Sequence, residues 1–227
     1  MRIGKRLPNS QFSILDSAAT AALLLGHLLP WVAHPTSALT RSGHELSIST
    51  NFTPGAGIFL NEWFLLPLWA SAVLIVLAAA SRERGVGRWV GLGLGLLVAS
   101  LGLPAYPHLL TAYANPGYQL QFFLTLGAFA LIGAIALRGP LRPLLRLILV
   151  VACAIASTVP LVGYFAVKPF IEALYRGPIG VGAGWWLTLL GVALLLVSAG
   201  AKMLYQVAPK RRIQSSSSSS AANTDPH

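Results

Sequence analysis

Apolar residues fill six stretches of the chain, near 14–33, 57–80, 89–106, 120–137, 144–167 and 185–207, and polar residues gather in the short segments between them. A helix needs about 20 apolar residues to cross about 30 Å of hydrocarbon, and each stretch meets that length or comes within a few residues of it. The pattern predicts an all-α fold, a polytopic transmembrane helix bundle of six spans. The third stretch is the shortest, and Pro104 near its end predicts a kink or an early exit.

The basic residues give this bundle an orientation. Arg2, Lys5 and Arg6 precede the first span, Arg82, Arg84 and Arg88 lie between the second and third, and Arg138, Arg142 and Arg146 between the fourth and fifth. Lys202, Lys210, Arg211 and Arg212 fall in or after the sixth, and only Arg41, Lys168 and Arg176 fall on the opposite side. The positive-inside rule then places both termini in the cytoplasm and the chain in the inner (plasma) membrane. A five-span or seven-span arrangement scrambles this bias. A basic start, an apolar run and small residues at 33–38 also fit a secretory signal peptide loosely. The run is longer than the usual core of about 7 to 15 residues, and Asp16 sits at its cytoplasmic edge, which favours a retained span. Cleavage would leave five spans with unchanged orientation.

Composition agrees: 55% of the 227 residues are hydrophobic and 10% charged, whereas charged residues make up about a quarter of a soluble domain. The net charge of +10 therefore reads as a topology signal and not as a nucleic-acid surface. Cys153, the single cysteine, excludes an internal disulfide, a Cys-x-x-Cys redox pair and a cysteine-based zinc site. Three regions follow: a basic cytoplasmic N-terminus at 1–12, the six-helix transmembrane domain at 13–207, and a disordered, serine-rich cytoplasmic tail at 208–227. The Lys210, Arg211, Arg212 cluster suits anionic headgroups, and a stop-transfer signal accounts for it equally well.

Each outward loop carries Pro and Gly ahead of an aromatic-bearing returning helix. These corners are Pro54-Gly55 before Trp63 and Phe64, Pro116-Gly117 before Phe122 and Phe123, and Pro178 with Gly180 before Trp185 and Trp186. The prolines are 62 residues apart in both intervals, a spacing an ancestral hairpin repeat would leave, although the helix starts do not keep it. The first outer loop, 34–54, is the longest, and its Ser47-Ile48-Ser49-Thr50 has a brief strand-like pattern. In the third, Phe170, Ile171, Leu174 and Tyr175 share one side of a helical turn with Glu172 and Arg176 at i,i+4, as in an interfacial helix or an extension of the fifth span. Asn51-Phe52-Thr53 matches a glycosylation triplet by chance, since Pro54 follows directly.

Ionisable groups at depth are the candidates for chemistry, because each costs roughly 2.5 to 3.5 kcal/mol at a helix centre. Few qualify. Asp16 is at the inner edge of the first span, and Glu62 lies one to two turns inside the outer edge of the second, beside Asn61. Glu62 could bind a cation or a partner's basic group; the bland alternative is a carboxylate reaching the outer interface or pairing with Arg41. His27 could ligate haem or metal, with His108 the only histidine able to face it at similar depth, and zinc at the mouth from His34, His44, Glu45 and His108 has no recognisable ligand spacing. Polar interface histidines are the simpler reading, so no cofactor or metal is expected. Ser42-Gly43-His44 lacks the flanks of a hydrolase elbow, and Asn115-Pro116-Gly117, half of a channel pore motif, occurs once and in a loop. Gly91 and Gly95 form a GxxxG pair suited to close helix packing. Pro30, Pro67, Pro104 and Pro160 lie in or near four spans, where freed carbonyls shape kinks.

Leu29-Pro30-Trp31, then Ser42-Gly43-His44-Glu45-Leu46, then Gly184-Trp185-Trp186-Leu187-Thr188-Leu189-Leu190-Gly191 resemble segments of uncharacterised small multi-span bacterial membrane proteins of the actinobacterial and Chloroflexi type. The resemblance covers mainly the first hairpin and the last span. It implies a multi-span fold and no activity, so it transfers no site residues. The sequence thus predicts a non-enzymatic structural or accessory subunit of a membrane assembly, partnered by the lipid bilayer, by other membrane subunits or by copies of itself, and not by nucleic acid. The alternative is a permease, or the membrane component of a transporter, for an apolar or weakly polar solute.

Overall fold

The structure is a computed structural model and describes residues 7–34, 40–49, 59–81 and 85–207. Arg2, Lys5, Arg6, Arg82, Arg84, the Lys210 to Arg212 cluster, the serine tail, the Asn51 triplet and the Pro54-Gly55 corner lie outside the described residues.

Seven α-helices and three very short strands are described. They are α1 (Leu7–Leu28), β1 (Pro30–Ala33), β2 (Arg41–Ser42), α2 (Gly43–Ser49), α3 (Phe59–Ala80), α4 (Val86–Ser100), α5 (Pro116–Arg138), α6 (Pro143–Tyr175), β3 (Gly180–Val181) and α7 (Ala183–Val207), with a 3-10 turn at His108–Leu110. Four stretches are long and apolar enough to cross a membrane: Glu62–Ala80, Pro116–Arg138, Pro143–Tyr175 and Ala183–Leu204. Ile14–Leu28 and Val86–Ser100 are shorter apolar helices. The all-α class is therefore shown, and four of the six expected stretches have the length.

α3 is the central post. Its residues are almost all buried, and α1, α4, α5 and α6 pack around it, while α7 closes the bundle against α1 and α6. Small residues set these approaches. A Cβ on Gly91 would strike the Ala79 side chain, and one on Gly95 the Val76 side chain, so α4 lies almost backbone-to-side-chain against α3. On the other flank a Cβ on Gly191 would stand 2.8 Å from Leu23 Cγ, which is why α7 fits so closely along α1.

Several expectations are corrected. The first apolar stretch was expected to run helical to 33, but α1 ends at Leu28. Pro30 has no amide hydrogen and disfavours helix at Leu29, so Pro30–Ala33 leaves as β1. α1 also begins at Leu7, inside the segment assigned to the N-terminal region. β1 pairs antiparallel with β2 and with β3, giving the order β2-β1-β3 and tying the first outer connection to the third. Ser47, Ile48 and Ser49 are not strand but part of α2, whose Ser42 and Glu45 bond reciprocally across its first turn as a capping box does. α4 stops at Ser100, short of 106, as the chain turns through Gly102 toward Pro104. α6 absorbs the third outer segment as a continuous extension, 33 residues and about 50 Å long at 1.5 Å per residue. Glu172 does not pair with Arg176: it meets Lys168 at 3.7 Å and accepts a hydrogen bond from the Ile179 amide, while Arg176 takes a left-handed conformation that ends the helix.

Candidate functional site

Buried polar side chains collect at the two ends of the bundle, and the ends differ. Where α1 starts and α7 finishes, Asp16 is buried and fully engaged. Its Oδ1 accepts from Ser198 Oγ at 2.6 Å and Lys202 Nζ at 2.8 Å, its Oδ2 accepts from the same Nζ at 2.6 Å, and an Arg146 terminal nitrogen stands 3.5 Å away. One carboxylate thus joins α1, α6 and α7. The sequence placed Asp16 at a span edge but did not pair it. The available signal was an opposite charge, Lys202, at matching depth in the last apolar stretch.

At the other end, His27 occupies the last turn of α1 with no exposure, and neither ring nitrogen has a hydrogen-bond partner. Its neighbour is His44 of α2, edge-on with ring centroids 5.8 Å apart. His27 and His108, the one pair that could have approximated a haem site, each meet a different ring. His108 belongs to the 3-10 turn ahead of α5 and stacks on Tyr118 at 4.7 Å, because that turn folds onto α5, whereas α2 folds over α1. His34 lies edge-on to Tyr175 at 5.6 Å. Trp31 closes the floor of this region: its Nε1 donates to the Gly26 carbonyl at 2.7 Å and its ring meets Phe64 and Tyr164. Tyr164 donates to the Gly180 carbonyl at 2.8 Å, holding β3 in place.

Glu62, in the first turn of α3, has 3% exposure and a buried Oε2 without a partner. It is not paired with Arg41, which faces Glu45 at 4.0 Å instead. Spacing of seven places Trp69 on the same α3 face. The Trp69 Nε1, also buried and without an acceptor, stands over Gly102. The Gly102 carbonyl accepts from Gln121 Nε2 at 2.9 Å and Thr125 Oγ1 at 3.0 Å, so α5 pins the end of α4 there. On α3, Phe64, which packs on Trp31, points nearly opposite to Glu62.

Among the described residues no three His, Cys, Asp or Glu side chains come together as metal ligands. Gly91 and Gly95 serve the α3–α4 contact already described. Comparison with known protein families, with curated proteins and with solved structures yields no match.

Proposed function

We propose that this chain is a multi-pass protein of the inner (plasma) membrane in which all six apolar helices are embedded, with both ends cytoplasmic, and that it serves as a structural or accessory subunit of a membrane assembly. The basic residues support the orientation: Arg88, Arg138, Arg142, Arg146 and Lys202 fall at one end of the bundle, and Arg41, Lys168 and Arg176 at the other. The apolar part of α1, Ile14–Leu28, and α4 are short for a full crossing, which a locally thinned bilayer or flanking residues accommodate.

The observation that carries the subunit role is the outer face of α5. Phe123, Gly127, Ala130, Ala134 and Leu137 lie along one exposed stripe, and a Cβ on Gly127 would meet nothing. Without a hydrophobic force between helices in lipid, small residues that allow backbone approach are what bring spans together. This chain leaves such a face unused.

The test is affinity purification from the native membrane in mild detergent, with and without Gly127→Leu. A stoichiometric partner or self-association lost in the variant supports the reading, and a lone monomer in both rejects it. Reporter fusions to the successive loops check the orientation, and a reporter that is active in the periplasm when fused after Arg138 overturns it.

The permease reading is favoured by one feature, the unpartnered Glu62 and Trp69 atoms on the α3 face that also carries the Gly102 corner. Purified protein in liposomes that moves no apolar or weakly polar solute removes it.

A further inference from the structure

The turn between α5 and α6 gathers three arginines and, among the described residues, no carboxylate partner. Arg88, in the first turn of α4, lays its guanidinium against Gly139: a Cβ built on that glycine would stand 3.4 Å from one terminal nitrogen and 3.6 Å from the other. Gly139 ends α5 with φ +81, a conformation that disfavours a side chain, so the guanidinium rests directly on backbone. Arg138 is the last residue of α5, and Arg142 is the N-cap of α6. Among the described residues every ion pair is made elsewhere, by Asp16, Glu45 and Glu172. The Arg88 Nε is buried without an acceptor.

A topology signal alone needs only solvated charges. Arg88 is different, because it is half-buried and held in place with donor capacity unspent. α4 and α6 both begin at this end, after Gly85 and Arg142, and neither start has a side-chain cap. Their first amides and dipoles add to the positive potential. Guanidinium groups suit a phosphate because their donors match its oxygens in pairs. The surroundings are apolar: Trp89, Leu137 and Leu144 are largely exposed beside the turn. α5 packs on α3 and α4 and α6 on α3 and α7, so the two barely touch beyond their connection. Apolar side chains of both helices are exposed beside the basic turn, Leu131 and Leu137 on α5 and Leu144 and Ile148 on α6.

We propose that this turn binds the phosphate of an anionic lipid headgroup, with Arg88 donating from beneath, Arg138 and Arg142 from the rim, and an acyl chain lying along these apolar side chains. The proposal rests on the membrane reading above.

Native mass spectrometry of the full chain in neutral detergent tests it, titrating phosphatidylglycerol, phosphatidylcholine and inorganic phosphate separately. Phosphatidylglycerol is retained over phosphatidylcholine, and Arg88→Gln and Arg142→Gln each weaken it about fivefold, the loss expected for one surface charge. Arg176→Gln, at the opposite end, leaves it unchanged. Equal retention of both lipids, or wild-type retention by Arg88→Gln and Arg142→Gln, overturns the site. Displacement by inorganic phosphate at matching concentration assigns it to a soluble anion and overturns the lipid. If Arg88→Gln fails to fold, the exposed Arg142 carries the test. A chain stripped from membranes by alkaline carbonate overturns the membrane reading itself, whereas a carbonate-resistant chain without headgroup selectivity overturns only this site.

Discussion

At the end where α1 begins, Asp16 commits both carboxylate oxygens to Ser198, Lys202 and Arg146, and among the described residues only the Arg88 and Arg146 Nε atoms lack an acceptor, whereas at the opposite end His27, Glu62 and Trp69 keep buried polar atoms with no partner. Both ends hold ionisable groups inside an apolar bundle, where an unsatisfied one is costly. The difference lies in use. A carboxylate shared by three helices fixes how α1, α6 and α7 sit together, so its cost is offset by the geometry it enforces. Unpartnered groups enforce nothing in the chain as it stands, and they are where a water, a solute or a neighbouring subunit has something to gain.

The largest effect should come from Asp16→Ala. It strands Lys202 and Arg146, whose side chains are 19% and 31% exposed, and removal of one member of such a buried pair costs about 3 kcal/mol. Thermal unfolding in detergent reads this as a lower midpoint. Adding Lys202→Met to Asp16→Leu should recover much of the loss, because no unpaired charge remains on that helix. An Asp16→Ala protein as stable as the parent would erase the contrast between the two ends.

Next in size is a pair of glycines in one helix. Gly91→Leu drives a side chain into Ala79 of α3 and should cost about 1 to 3 kcal/mol, while Gly93→Leu meets open space and should change stability by less than about 0.5 kcal/mol. Equal losses would mean that α4 has a second packed face that the single chain does not show. Such a result would sharpen the subunit reading.

Glu62→Leu then tests the uncommitted end. If the carboxylate has no structural duty, replacing it by an apolar side chain should leave stability within about 1 kcal/mol or raise it. A loss as large as that of Asp16→Ala would show that Glu62 anchors the fold after all, and the two ends would no longer differ in kind.

The places of the six apolar helices were legible in the sequence because apolar run length is a local property, whereas α2, a seventh helix, was not. All six apolar stretches coincide with helices, although α1 ends at Leu28 and α4 at Ser100, short of the ends of their stretches. What local pattern could not give was the partner of each polar residue. Asp16 and Lys202 are 186 positions apart, and no spacing rule joins them. Nor does local pattern show that Trp31 is wholly buried, packed on Phe64 and Tyr164. Of the strand-like 47–50 segment, 47–49 became helix because the reciprocal Ser42 and Glu45 cap outweighed β-branched propensity, and Thr50 lies outside the described residues. For the candidate site, Glu62 and His27 were visible as ionisable residues in apolar runs. The meeting of His27 with His44, and of His108 with Tyr118, depended on how α2 folds over α1 and the 3-10 turn onto α5.

The smallest predicted effect is a pH dependence from His44, the half-buried histidine of α2. Burial lowers its pKa from the ordinary 6.5, with adjacent Glu45 opposing the shift. The groups facing it are His27, edge-on at 5.8 Å, and Glu45, itself engaged with Ser42 and Arg41. For a base whose folded pKa is depressed, the unfolded chain binds more protons between the two values, so stability is fully present above 6.5 and is lost as pH falls from there through the folded value. The unfolding midpoint should therefore be flat above neutrality and decline on acidification toward pH 5, and His44→Gln should flatten that decline. Identical slopes in parent and variant would remove His44 from the account. A slope abolished by His44→Gln but steepened by Glu45→Gln would instead tie the histidine to its carboxylate neighbour, because loss of the opposing charge lowers the folded value further and widens the window. Only in that case does the uncommitted end of the bundle carry a group whose charge reports the acidity of the surrounding medium.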